Sequence, residues 1–254
     1  MTSSFSQRHP PIPGYEPVRV LGYNGAVVYV ARSTQVGRLV VLQVWDRGFS
    51  AHTAVLMGIE HPNILRVFEA GEVKGHSYVA FEYLDKTESL DQRLQRGPLI
   101  DSEARKLTMV IASALDFLRD AGVVVGGLTP GDVLLAEPPR LFLHPAHLHI
   151  PDPHFVAPEE ALGVPQAVTR ATDVYRVGAL LYAMLTSHPP FAVDLASDRR
   201  QRPDPVEHRL VSPSQINPSV AKNLEAICIK CLEYVPTNRY ASLRELGEAL
   251  QRSA

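Results

Sequence analysis

Val123-Val124-Val125-Gly126-Gly127-Leu128-Thr129-Pro130-Gly131-Asp132-Val133-Leu134-Leu135 is the stretch on which the reading of this chain turns. Three valines lead into it. Leu128, Pro130, Val133, Leu134 and Leu135 frame it, and Gly126-Gly127 at its centre carry no side chain. The packing residues of a loop are there, but apart from Asp132 no charged group accompanies them. Working outward, Asp101 is expected to cap a helix whose apolar positions are Ala104, Leu107, Val110, Ile111, Ala114, Leu115 and Leu118. On the other side, Arg140-Leu141-Phe142-Leu143 reads as a strand.

Further out, the two halves of the chain differ. Val18–Leu21, Val27–Ala31, Leu39–Trp45, Ile64–Phe68 and Tyr78–Tyr83 read as strands, separated by Gly, Asn or Lys-Gly turn signals, with one helical candidate from Ala51 to Ile59. After Tyr83 helices dominate. Asp173 to Leu185 is apolar nearly all round, the mark of a buried helix. Asn217-Pro218 reads as an N-cap with Pro at the first helical position. Ser242 to Glu245 reads as a capping box. Residues 1–13 form a Ser- and Pro-rich tail expected to be disordered.

The 254 residues can hold one large domain or two small lobes, and a hydrophobic fraction of 45% supports a sizeable core. A formal net charge of −2 without a basic stripe gives nucleic-acid binding no electrostatic support. The longest apolar run, Val177 to Leu185, is too short for a membrane span, and no signal peptide opens the chain. A cytoplasmic protein or cytoplasmic domain is expected. Cys228 and Cys231 form a CxxC that could serve redox chemistry or half a zinc site. They also fall on the apolar face Val220, Leu224, Ile227, Cys228, Cys231, where thiols pack as small hydrophobes, and the core reading is preferred.

The order of elements and its landmarks resemble the eukaryotic-like Ser/Thr protein kinases of bacteria, over roughly Tyr15 to Gln251. His61-Pro62-Asn63-Ile64 is similar to the turn between helix C and strand 4. Phe81-Glu82-Tyr83-Leu84 is similar to gatekeeper and hinge, Ala157-Pro158-Glu159 to the Ala-Pro-Glu motif, and Asp173 to Gly178 to the Asp-Val-Tyr/Trp-Ser-x-Gly opening of helix F. Arg239 stands where the family pairs an Arg with the Ala-Pro-Glu glutamate. The resemblance implies an α+β, bilobal fold: a five-stranded antiparallel lobe with one helix and a larger helical lobe. It divides the chain into a kinase-like domain over 14–254, with an N-lobe 14–83, a hinge 84–89 and a C-lobe 90–254. Glu159, Asp173 and Arg239 are then architectural: a buried Glu159–Arg239 pair, and an Asp173 carboxylate bonded to catalytic-loop backbone. The bland alternative is surface charge.

The same resemblance exposes what is missing. Phosphoryl transfer is mostly positioning and electrostatic stabilisation. The resemblance places Gln43 where the family has its strand-3 Lys, and a neutral amide cannot hold phosphates as a cation. Val41 replaces a small Ala in the adenine roof. Neither His52 nor Thr53 supplies the helix-C glutamate. The glycine-rich loop runs from Leu21 to Tyr29 with Gly22 and Gly25, but Asn24 and Val27 occupy or neighbour glycine positions. In the catalytic loop Val125, Gly126, Gly127 and Thr129 stand for His, Arg, the base Asp and Lys. His144-Pro145-Ala146 stands for Asp-Phe-Gly. Asp132, at the metal-binding Asn position, could ligate a cation or bond within its loop. From Ala136 through Glu159 there is no Ser, Thr or Tyr, so nothing there can be phosphorylated.

On these grounds the expected function is a pseudokinase and not an enzyme: a protein-binding scaffold or allosteric regulator whose partner is an active kinase or a signalling assembly. ATP and Mg are expected to bind weakly or not at all. A remnant cleft would be lined by Gly22, Gly25, Val28, Val41, Gln43, Phe81, Glu82, Leu84 and Leu134. One alternative is an atypical Ser/Thr kinase or nucleotide-binding enzyme with residual activity. Another is a metal or ligand sensor built on His144, His147, His149 and His154, with incidental histidines in a Pro-rich loop as its plain counterpart. Pro10 to Pro13 and Arg202 to Pro205 read as docking peptides or as ordinary loops.

Overall fold

The computed structural model describes residues 10–23, 26–46, 56–123, 125, 127–142, 152–161, 168–190 and 210–253. It divides into two compact units, Met1–Thr87 with Phe142–His149, and Glu88–Leu141 with Ile150–Ala254.

The first unit is an antiparallel sheet of β1 (Tyr15–Tyr23), β2 (Val27–Ser33), β3 (Leu39–Trp45), β4 (Val67–Val73) and β5 (His76–Glu82), in the order β1-β2-β3-β5-β4. The β-branched alternation of β3 sends Val40, Leu42 and Val44 to one face, where they pack with Tyr15, Tyr29, Ala31, Tyr78 and Ala80. The hydroxyls of Tyr15 and Tyr78 both donate to the Glu69 carboxylate at 2.6 Å. A Cβ on Gly71 would meet the Tyr78 ring at 2.9–3.0 Å, so the strand needs glycine there. Lys74 and Gly75 take φ of 50° and 78° and close the β4–β5 hairpin as a two-residue turn.

Strand 4 starts later than its apolar residues indicate. Ile64 and Leu65 are buried, and the Ile64 N–H closes a turn onto the His61 carbonyl, so the pair plugs the core and the ladder begins at Val67. The helix expected from Ala51 to Ile59 lies mostly outside the described residues.

The second unit is helical: α1 (Leu90–Leu94), α2 (Asp101–Asp120), α3 (Pro158–Ala161), α4 (Arg170–Thr186), α5 (Pro213–Ile216), α6 (Lys222–Cys231) and α7 (Leu243–Arg252), with a two-stranded ribbon of β6 (Val133–Leu134) and β7 (Arg140–Leu141). In α4 every residue from Thr172 to Thr186 is buried, as its sequence predicts. It meets α6 closely: a Cβ on Gly178 would lie 2.3 Å from Cys231 Cβ. Cys228 and Cys231 are free and buried, and burial pushes both thiols up, which suits packing and not redox or metal chemistry.

Three cap assignments change. Asp101 is the first residue of α2, not its cap, and its carboxylate accepts the N–H of Ala221, the residue that caps α6. Asn217 does not open α6. Its Nδ2 donates to the Leu185 carbonyl while its Oδ1 takes the Ser219 N–H and hydroxyl, which organises the turn after α5. Ser242 does accept the Glu245 N–H, but Glu245 reaches back to the Ala241 N–H rather than to Ser242. No described helix is long and apolar enough to cross a membrane.

Candidate functional site

The residues named for a remnant cleft fall in both units and are taken unit by unit. In the first, the β3 alternation that buries Leu42 on one face turns Gln43 to the other, opposite Val28 on β2 and Val79 on β5. Gln43 is 0% exposed, and neither its amide nitrogen nor its amide oxygen has a hydrogen-bond partner among the described residues. An amide in that state costs about 1–3 kcal/mol for each unsatisfied group. Val41 faces Phe81 across the β3–β5 ladder, and Phe81, fully buried, packs edge-on against Phe142 with ring centroids 4.8 Å apart. The Glu82 N–H donates to the Arg66 carbonyl, and the Leu84 carbonyl accepts from the Thr87 hydroxyl. Gly22 pairs with Val28 and has open space where a Cβ would stand, so packing alone does not demand glycine there. Asn24, Gly25, His52 and Thr53 lie outside the described residues.

In the second unit the described part of Val123–Leu135 holds a packed turn. Leu128 is buried, and Pro130–Asp132 form one turn of 3-10 helix. Asp132 is 5% exposed, and its Oδ2 accepts both the N–H and the hydroxyl of Thr129 at 2.8 Å. That carboxylate therefore closes its own loop, the role set above against cation binding. Gly127 is buried, while Gly126 lies outside the described residues. Leu134 bridges to Ser89, and the Leu135 N–H donates to the Glu88 carbonyl.

His144, His147 and His149 also lie outside the described residues. His154 is held locally: its Nδ1 is 2.6 Å and its N–H 3.0 Å from Asp152 Oδ1. Burial works to raise the Asp152 carboxyl, and the hydrogen bonds from His154 outweigh it, leaving Asp152 below its ordinary value. Among the described residues no three His, Cys, Asp or Glu gather as metal ligands would.

The architectural trio is brought together in the same unit. Arg239, its side chain 0% exposed, makes a two-pronged contact with Glu159 at 2.7 and 2.9 Å. It also donates to the carbonyls of Glu233, Tyr234 and Ala171. Thr172 donates its hydroxyl to Glu159 at 2.8 Å. Burial works to raise the Glu159 carboxyl, but the Arg239 guanidinium outweighs it and the group sits below its ordinary value.

Asp173 differs from expectation. Its described partners are not catalytic-loop backbone but two guanidiniums: Arg119 Nε at 2.8 Å on Oδ2 and Arg176 Nη1 at 2.7 Å on Oδ1. Burial raises the Asp173 carboxyl and the two arginines pull against that rise. Arg176 and Arg119 were missed in the sequence. The available signal was Arg176 itself, the one charge in an otherwise apolar run from Val174 to Leu185, which must find a buried partner.

A five-stranded antiparallel sheet unit, and a helical unit pinned by Glu159 and Arg239, define a protein-kinase-like domain. The family description "Protein kinase domain" matches residues 44–251, and the chain belongs to that family. Among its relatives, the serine/threonine-protein kinase PrkC of Bacillus subtilis is 24% identical over 268 residues, covering 91% of this chain and 39% of the relative. The probable serine/threonine-protein kinase PknB of Lactococcus lactis is 26% identical over 262 residues, covering 91% and 40%. PknB of Mycobacterium leprae is 24% identical over 271 residues, covering 94% and 42%. The chain thus spans about two fifths of the length of these relatives. Relatives named as kinases along nearly the whole chain overturn the expectation that it is not an enzyme.

Proposed function

We propose that the chain is an atypical serine/threonine protein kinase domain with residual phosphoryl-transfer activity. One observation carries the reading: the buried Glu159–Arg239 pair, with Thr172 on the same carboxylate, keeps the frame of a family whose matched members are named kinases. The charged groups are thinner than in the family pattern. ATP with a divalent cation is the group the family implies. Gln43 is fully buried and carries no charge, and the Asp132 carboxylate is already engaged by Thr129, so neither residue is a ready ligand for it. When bound, the nucleotide supplies the phosphoryl group.

Each missing electrostatic group costs about 2.7–4 kcal/mol of barrier, or about 10²–10³ in rate, and such losses do not add. A slow enzyme follows, with weak nucleotide affinity. The test is transfer of labelled γ-phosphate to casein and to the chain itself, with Mg or Mn, for the wild type and Asp132→Ala. Slow transfer that Asp132→Ala diminishes is expected. No transfer above a no-enzyme blank with either metal would overturn the proposal.

A further inference from the structure

Arg176 has a side chain 1% exposed, in a helix where its neighbours are apolar. The family pattern quoted above has a Ser at this position. One edge of its guanidinium donates to Asp173 at 2.7 Å, and the other meets both oxygens of Glu160, with Nη2 at 2.5 Å and Nε at 3.3 Å. Asp173 passes the contact on to Arg119. The result is a chain of alternating charge, Glu160–Arg176–Asp173–Arg119, running from α3 through α4 to α2.

The neighbouring Glu159 turns to Arg239 and Thr172. The four-residue helix Pro158–Ala161, too short to stand by its own backbone bonds, is therefore pinned by two adjacent carboxylates on two different arginines. Three carboxylates (Glu159, Glu160, Asp173) face three guanidiniums (Arg119, Arg176, Arg239), so the cluster is neutral and each of these arginines is paired. An added phosphate would find no unpaired guanidinium in it. Upstream, from Ala136 to Glu159, no hydroxyl residue exists to carry one.

We propose that Glu160 and Arg176 form a built-in latch, which fastens the stretch from Ala157 to Ala161 with the protein's own charges and makes its placement independent of phosphorylation. The regulatory meaning rests on the kinase reading, but the latch can be read without nucleotide. The experiment is hydrogen exchange on the full chain, comparing wild type, Arg176→Ser and Glu160→Ala. The Glu160 and Ala161 amides, which bond the Ala157 carbonyl, are expected to exchange at least about tenfold faster in both variants. Amides of Ile111 to Leu118 should hold their rates and report that the unit is folded. If Arg176→Ser fails that folding check, Glu160→Ala decides, because its side chain is partly exposed and alanine suits the helix. Unchanged exchange at 160–161 in Glu160→Ala overturns the latch. So does wild-type protein whose slow exchange at 160–161 is lost on phosphatase treatment; equal rates before and after treatment are expected.

Discussion

Gln43 shows what a single residue can conceal. Its identity in the sequence already removes the lysine charge. Its full burial, and its two amide atoms without a partner among the described residues, depend on strands that come together from separate parts of the chain. Replacing a buried, unsatisfied polar group by an apolar one of the same shape is neutral or stabilising. Gln43→Met is therefore expected to hold or raise stability, by up to about 2 kcal/mol, measured as the urea midpoint. A loss of more than about 1 kcal/mol would show that the amide is satisfied in solution. Glu159 and Arg239 were legible because both sit in recognisable motifs. The partners of Asp173 were not: Arg119 lies 54 residues away, and Arg176 sat unnoticed inside the motif that identified its helix.

At the scale of elements, α4 and α6 approach closely at Gly178. Gly178 is not there for backbone freedom but because Cys231 occupies the space of its Cβ. Gly178→Ala must push the helices apart or distort them, at about 1–3 kcal/mol. A fall in melting temperature with unchanged far-UV circular dichroism is expected, and an unaltered melting temperature would contradict the packing. Periodicity made α2, α4 and the strands readable. Their ends were less so, because caps are satisfied by whatever the fold brings near. Asp101 serves α6 across 120 residues of sequence, and Ile64-Leu65 fills a core rather than a ladder, which no local propensity records.

For the whole molecule, the depressed carboxyl of Glu159 links stability to pH. A carboxyl whose folded pKa lies below its ordinary value of 4.5 contributes fully above that pH, and its contribution drains away as pH falls through the folded value. Asp152 and Glu225 shift in the same direction. Stability should therefore fall in acid below about pH 4.5. Glu159→Gln should cost about 3–5 kcal/mol at neutral pH by leaving Arg239 buried without its counter-charge. The gap between wild type and variant should close as the medium becomes more acidic. A gap that stays constant from pH 7 to about pH 3 would detach Glu159 from the acid limb. The burial of Gln43 also decides what position 43 can accept. From Arg47 to Ile59 the sequence has no Asp or Glu, so a lysine introduced at position 43 would be an ammonium at 0% exposure with no carboxylate from that stretch. Such a cation sheds its proton or destabilises the fold. Gln43→Lys alone is then expected to be less stable than the wild type, measured as the urea midpoint. Position 43 therefore accepts a lysine only together with a second substitution that brings a carboxylate to it.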